Sequence, residues 1–164
     1  MMFREMRRNR QQLTEAECIE ILRKNTSGVL AVSGDSGYPY AVPLSYVYDN
    51  CTLYFHCGKS GHKLDAINTN SKVSFCVIDQ DLVVPHEYTT YFRSVIIFGL
   101  ASVVNREDEI HSAIEKLAIK YYPGDSKDNR DLAIQKEYNA LCIVKIQIEH
   151  MTGKEAIELI SRRR

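Results

Sequence analysis

The spacing of apolar residues changes period several times along the chain, and each change marks an element. In the first stretch Cys18, Ile21 and Leu22 fall on one face at helical spacing. Thr14 and Glu17 form a capping box, and Leu13 and Cys18 are placed as a hydrophobic staple. A short helix therefore starts after Thr14 and ends near Asn25. The pattern then turns strand-like. Residues 29–32 and 40–48 flank the turn-prone Gly34-Asp35-Ser36-Gly37 and read as a hairpin, and Asp49-Asn50 turns the chain into a further strand over 52–55. Pro43 cannot donate to a ladder, so it belongs at an edge, a bulge or a place where backbone meets a ligand. Residues 73–78 and 91–104 are further apolar strands, and 140–149 alternates with Leu141, Ile143, Ile146 and Ile148 on its apolar positions. The segment 81–90, with Pro85, His86 and Tyr88, reads either as a loop lining a site or as a wide connection. Asn105 with Asp108 caps a helix carrying Ile110, Ile114, Leu117, Ala118 and Tyr121, which stops at Pro123-Gly124. A second short helix is expected over 132–138, and a small element after Gly153.

Runs of strands with few helices between them exclude a doubly wound parallel sheet. They predict a mainly β fold, a six-stranded antiparallel, Greek-key-like barrel with peripheral helices. The chain has 164 residues, 45% hydrophobic and 26% charged, which fits one domain spanning 1–164 with a sizeable core. Lys+Arg and Asp+Glu both number 21, so no overall field favours nucleic acid or an anionic membrane; Arg7, Arg8, Arg10 and Arg162 to Arg164 make both ends basic, most simply as solvated charge. Met1 to Glu5 lack a signal-peptide core and no apolar run is long enough to span a bilayer, so a cytoplasmic location is expected. Five scattered cysteines without a C-x-x-C pair argue for reduced, mostly buried thiols.

The candidate chemistry lies in Tyr54-Phe55-His56-Cys57-Gly58-Lys59-Ser60-Gly61-His62-Lys63-Leu64-Asp65. An aromatic strand breaks at glycines and resumes as a helix that opens with His62 and Lys63. Free N–H groups and two potential cations at a helix start make a place for phosphate. Cations are ordinarily favoured at the other end of a helix, so Lys63 here calls for an anion. A zinc site from His56, Cys57 and His62 is disfavoured, because neighbouring strand residues point to opposite faces.

The order of four motifs, Ala41-Val42-Pro43-Leu44-Ser45-Tyr46, Leu53-Tyr54-Phe55-His56 with Gly61-His62-Lys63, Tyr91 to Ala101, and Thr152-Gly153-Lys154, resembles the FMN-binding split β-barrel superfamily around pyridoxamine-phosphate oxidase. It looks most like the branch of nitroimidazole-resistance-type reductases. The resemblance implies that Gly61, His62 and Lys63 hold the FMN phosphate, with FAD the alternative cofactor. It implies that Val42, Pro43, Leu44, Ser45 and Tyr46 lie along the isoalloxazine, with Phe55 and His56 beside it, and that Arg93, Ser94 and Val95 reach phosphate or ring. His56 is implied as the catalytic proton donor, its ordinary pKa being near neutrality. The expected function is a homodimeric oxidoreductase with flavin at the interface, passing electrons from NAD(P)H to a small organic acceptor such as a nitroaromatic. The rival is a non-catalytic flavin or haem carrier on the same barrel. No Rossmann G-x-G-x-x-G follows a strand, so nicotinamide would have to stack transiently on the flavin. The Arg-Leu pair that serves pyridoxal substrates in that family has no counterpart in residues 155–164, and His62-Lys63 stands where many relatives carry Arg-Lys.

Overall fold

The computed structural model describes residues 3–162; Arg163 and Arg164 of the basic C-terminus, and Met1 and Met2, lie outside them. The elements run β1 (Gln12–Leu13), α1 (Glu15–Lys24), β2 (Ser27–Ser33), β3 (Pro39–Ser45), β4 (Val47–Asp49), β5 (Thr52–Gly58), α2 (His62–Thr69), β6 (Lys72–Val84), β7 (Thr89–Val103), α3 (Glu107–Tyr121), α4 (Lys127–Glu137), β8 (Leu141–Glu155) and α5 (Ile157–Ser161). The mainly β class with peripheral helices stands. The sheet is larger than the expected six strands: eight antiparallel strands run in the order β3-β2-β6-β7-β8-β5-β4, with β1 added against β8. The additions are the short β1 and β4, too brief to show a period of their own. β3 comes against β5 without ladder pairing between them, so the two flanks of the sheet meet along an unbonded seam.

Local chemistry explains most boundaries. Thr14 accepts from the Glu17 N–H and the Glu17 carboxylate accepts from the Thr14 N–H, the reciprocal capping box; Leu13 and Cys18 are both buried beside it. Asn105 does not cap α3. The N-cap residue is Arg106, without a capping hydrogen bond, and Glu107, Asp108 and Glu109 crowd the first turn. Their charges meet the positive end of the helix and make a polar cap dispensable. α4 starts at Lys127, five residues before the predicted 132, because Ser126 accepts from the Asn129 N–H; the helix buries no residue among those described, so no apolar period announced it. The segment 81–90 is neither a site loop nor a wide connection. β6 runs on to Val84, a tight turn spans Pro85–Glu87, Tyr88 takes the left-handed conformation at φ 50°, and β7 begins at Thr89.

The core fills the inside of the sheet with Leu30, Tyr46, Leu53, Phe55, Phe75, Val77, Val95, Ile97 and Ile146. Tyr46 packs edge-on against Phe75 at 5.2 Å and donates to the Leu22 carbonyl at 2.9 Å. A smaller cluster of Val47, Val104, Ala113, Ile114, Leu117 and Ile143 seats α3 on the other face. The Lys120 ammonium lies 4.2 Å over the Tyr46 ring and donates to the Leu22 carbonyl at 3.3 Å; burial brings its pKa down to about 8. A lysine whose folded pKa is depressed makes the unfolded chain bind more protons between that value and the ordinary one near 10.5. Stability should therefore rise with pH across that interval. Urea melts between about pH 8 and pH 10 are expected to show this rise, and Lys120→Met to flatten it.

Candidate functional site

The seam between β3 and β5 ends beside the start of α2. Leu64, Ala66 and Ile67 are buried and fix the helix on the barrel. Gly61, its N-cap residue, has φ 133°, a conformation that glycine alone adopts cheaply, and a Cβ there would meet nothing within 4 Å. The Leu64 and Asp65 N–H groups bond the Gly61 carbonyl at 2.9 and 3.2 Å. No side chain caps this end, which leaves the His62 and Lys63 N–H groups open. The His62 ring stacks on Tyr40 of β3 at 4.2 Å, and its Nε2 lies 3.6 Å from Asp35 Oδ2. Asp35 opposes an anion here, but its side chain is 91% exposed, where water screens it. Lys63 is half buried and lies near Cys57, whose pKa it pulls against the rise that burial imposes. Among the described residues Lys63 has no carboxylate within ion-pair reach. The Lys63 ammonium and the His62 imidazole thus flank two unfilled N–H donors, and that donor set fits the oxygens of a phosphate monoester.

β3 supplies the other wall. Tyr40, Val42 and Leu44 turn inward and pack on the core, while Pro39, Ala41, Pro43 and Ser45 are exposed. Only β2 pairs with this strand, so its other edge is open. Pro39 and Pro43 share a parity, and the residues that lack an N–H must be those whose backbone faces the open edge. The edge therefore offers the carbonyls of Pro39 and Pro43 and both backbone groups of Ala41. Val42 and Leu44 cannot present side chains to the same side as Pro43 and Ser45, so the stretch 42–45 meets a ligand with its backbone and with one parity of side chains.

The model of the family described as pyridoxamine 5'-phosphate oxidase matches residues 14–155. The chain belongs to that family. A search of curated proteins finds no match. Solved structures share the fold of this pyridoxamine 5'-phosphate oxidase relative. A candidate 5-nitroimidazole antibiotic resistance protein from Bacteroides thetaiotaomicron superposes with a TM-score of 0.72 at 22% identity, covering 88% of this chain and 86% of its own. An FAD-binding protein from Mesorhizobium loti gives 0.64 at 24% identity, covering 89% and 97%. The FAD and heme binding protein from Mycobacterium smegmatis gives 0.73 at 19% identity, covering 90% and 74%.

Several residues expected to touch cofactor in a pyridoxamine 5'-phosphate oxidase family member are buried in this chain or engaged by its own side chains. Tyr46, Phe55 and Val95 have no exposed surface; strand alternation turns Phe55 and Val95 into the core, and Tyr46, between β3 and β4, packs there with them. Burial also pushes the Tyr46 phenol pKa up. Arg93 is committed within the protein: it donates to Glu155 at 2.8 Å and lies 4.0 Å from Asp79. Asp79 also accepts from Lys24 at 3.0 Å and Asn25 at 2.8 Å. Burial works to raise its pKa, but Asn25, Lys24 and Arg93 together hold it below the ordinary carboxylate value. The lowered value means that the ionised form supports the fold above about pH 4 and that this support is lost as pH falls. Asp79→Asn should therefore flatten the acid side of a stability profile read by urea midpoint. Ser94, half buried, pairs with Ile78 and Lys154 in mid-sheet. His56 is exposed on β5, on the face opposite Phe55 and Cys57. The contact that sequence reading missed is Tyr40 under His62. Its signal was available in the alternation of Tyr40, Val42 and Leu44 on one face of β3.

Proposed function

We propose that the protein is a cytoplasmic flavin-dependent oxidoreductase that binds FMN in preference to FAD and passes electrons from NAD(P)H to a small organic acceptor, nitroaromatics included. The observation that carries the reading is the uncapped start of α2 between His62 and Lys63. The FAD-binding relatives and the family membership support a flavin, and the site's own chemistry favours one terminal phosphate. Bound flavin would supply the two-electron chemistry. The chain's residues do the rest. Lys63 and the two open N–H groups hold the phosphate, with His62 donating from its Tyr40 stack. The open edge of β3 offers backbone acceptors at Pro39 and Pro43 and a donor at Ala41 to the polar rim of the ring system. His56 holds a proton for the acceptor. Ile78, Ile96 and Phe98 share the outer face of β6 and β7 and are 60%, 42% and 41% exposed, an apolar strip that a second copy would cover to make the homodimer.

Absorption spectroscopy and the mass of the extracted cofactor on purified protein test the flavin: an oxidised-flavin spectrum with FMN released on denaturation is expected. Oxidation of NADPH or NADH that depends on an added nitroimidazole is then expected from an enzyme. A bound chromophore without acceptor-dependent oxidation would establish the carrier reading, which the FAD and heme binding relative keeps in view. Among the described residues no helix is long and apolar enough to cross a membrane.

A further inference from the structure

Cys57 and Cys142 have no part in the proposed chemistry, yet they stand directly opposite one another in the ladder between β5 and β8. Their sulfurs are 3.8 Å apart. Residues paired across antiparallel strands have Cα atoms about 4.5 or 5.5 Å apart, both within the span that a disulfide bridges. Both side chains face the barrel core and are half buried. Among the described residues, no second pair of thiols comes within hydrogen-bond reach. The next pair along the ladder is Gly58 with Leu141, and Gly58 opens the turn into α2. From this juxtaposition we infer that Cys57 and Cys142 are a reversible two-thiol redox site, oxidised by small disulfides, whose closure ties the end of β5 to β8 beside the start of α2.

The chemistry balances as two successive exchanges. One cysteine, as its thiolate, attacks a sulfur of the small disulfide; that S–S bond breaks and a small thiolate leaves and takes up a proton. The second cysteine gives up its proton and attacks the sulfur of the first, expelling the other half as a second small thiol. The protein loses two electrons and two protons, and the small disulfide becomes two thiols. Burial pushes the Cys57 thiol up to about 11; Cys142 adds to the rise and Lys63 of α2 opposes it. With Cys57 as the attacking thiol, thiolate is scarce at neutral pH, so closure is slow there and should accelerate as pH rises. Slow closure suits a bond that forms only under sustained oxidation.

The test uses the full chain carrying Cys51→Ser, which removes the exposed thiol and leaves four of the five cysteines. After incubation with oxidised glutathione at about pH 8, digestion without reduction should yield a peptide linking Cys57 to Cys142, with free thiols falling from four to two and recovering under dithiothreitol. In Cys142→Ser the mixed disulfide at Cys57 should persist. Glutathione adducts without the linked peptide, or a link through Cys18 or Cys76, would overturn the pair. Amide hydrogen exchange over residues 58–63 should slow in the linked form; unchanged exchange would refute the restraint on α2. Any effect on FMN affinity rests on the phosphate reading, and the linked peptide does not. FMN that binds neither redox form would count against the phosphate site alone.

Discussion

Lys63→Ala is expected to weaken FMN binding by about 1.5–3 kcal/mol, roughly 10- to 150-fold in Kd. The estimate is that of a hydrogen bond between charged partners. Lys63 is half buried, has no carboxylate partner among the described residues, and sits at a helix end whose remaining donors are open. Fluorescence titration measures the change, with riboflavin as the comparator. Riboflavin has no phosphate, so the substitution should leave its weaker binding unaltered. Lys116→Ala, which removes a lysine paired with Asp49 far along the chain on α3, should bind FMN like the parent. Equal losses in Lys63→Ala and Lys116→Ala, or an equal loss for riboflavin, would remove the phosphate assignment.

Arg93→Ala is expected to cost about 3–5 kcal/mol of folding stability, the penalty for stripping the counter-charge from buried carboxylates. The side chains of Asp79 and Glu155 are 4% and 3% exposed, and Arg93 joins them across β6, β7 and β8. Lys24 and Asn25 continue to serve Asp79, which places the effect within that range and not above it. The urea midpoint reads it. A variant that kept the parent's midpoint but lost FMN would restore Arg93 to the cofactor and sink the structural assignment.

How far the chain could be read without coordinates depended on whether a feature was local. The capping box at Thr14 and Glu17, the hairpin turn after Ser33 and the helix opening at His62 are written in adjacent residues, and each appears as expected. α4 was cut short because a helix that buries nothing leaves no apolar stripe. The ion pairs of Arg93 stayed hidden for the opposite reason: its partners, Glu155 and Asp79, become neighbours only when β6, β7 and β8 assemble. The motif 42–46 was read as one ligand-facing block, although a period of two had to send Val42 and Leu44 one way and Pro43 and Ser45 the other. Burial of Tyr46 could have been foreseen from its place between strands that close on the core; what could not be foreseen was that the Leu22 carbonyl of α1 would accept a hydrogen bond from its hydroxyl.

The prolines of β3 carry a last consequence. A strand that keeps one side unbonded for a guest molecule is also an invitation to stray β-strands from unfolded neighbours, which would zip onto it and seed fibrils. At Pro39 and Pro43 that side has a carbonyl and a ring where an incoming strand needs an amide proton. Pro43→Ala should thus leave the isolated monomer intact yet make concentrated solutions turbid sooner on warming, a hazard the sequence averts with two imino acids.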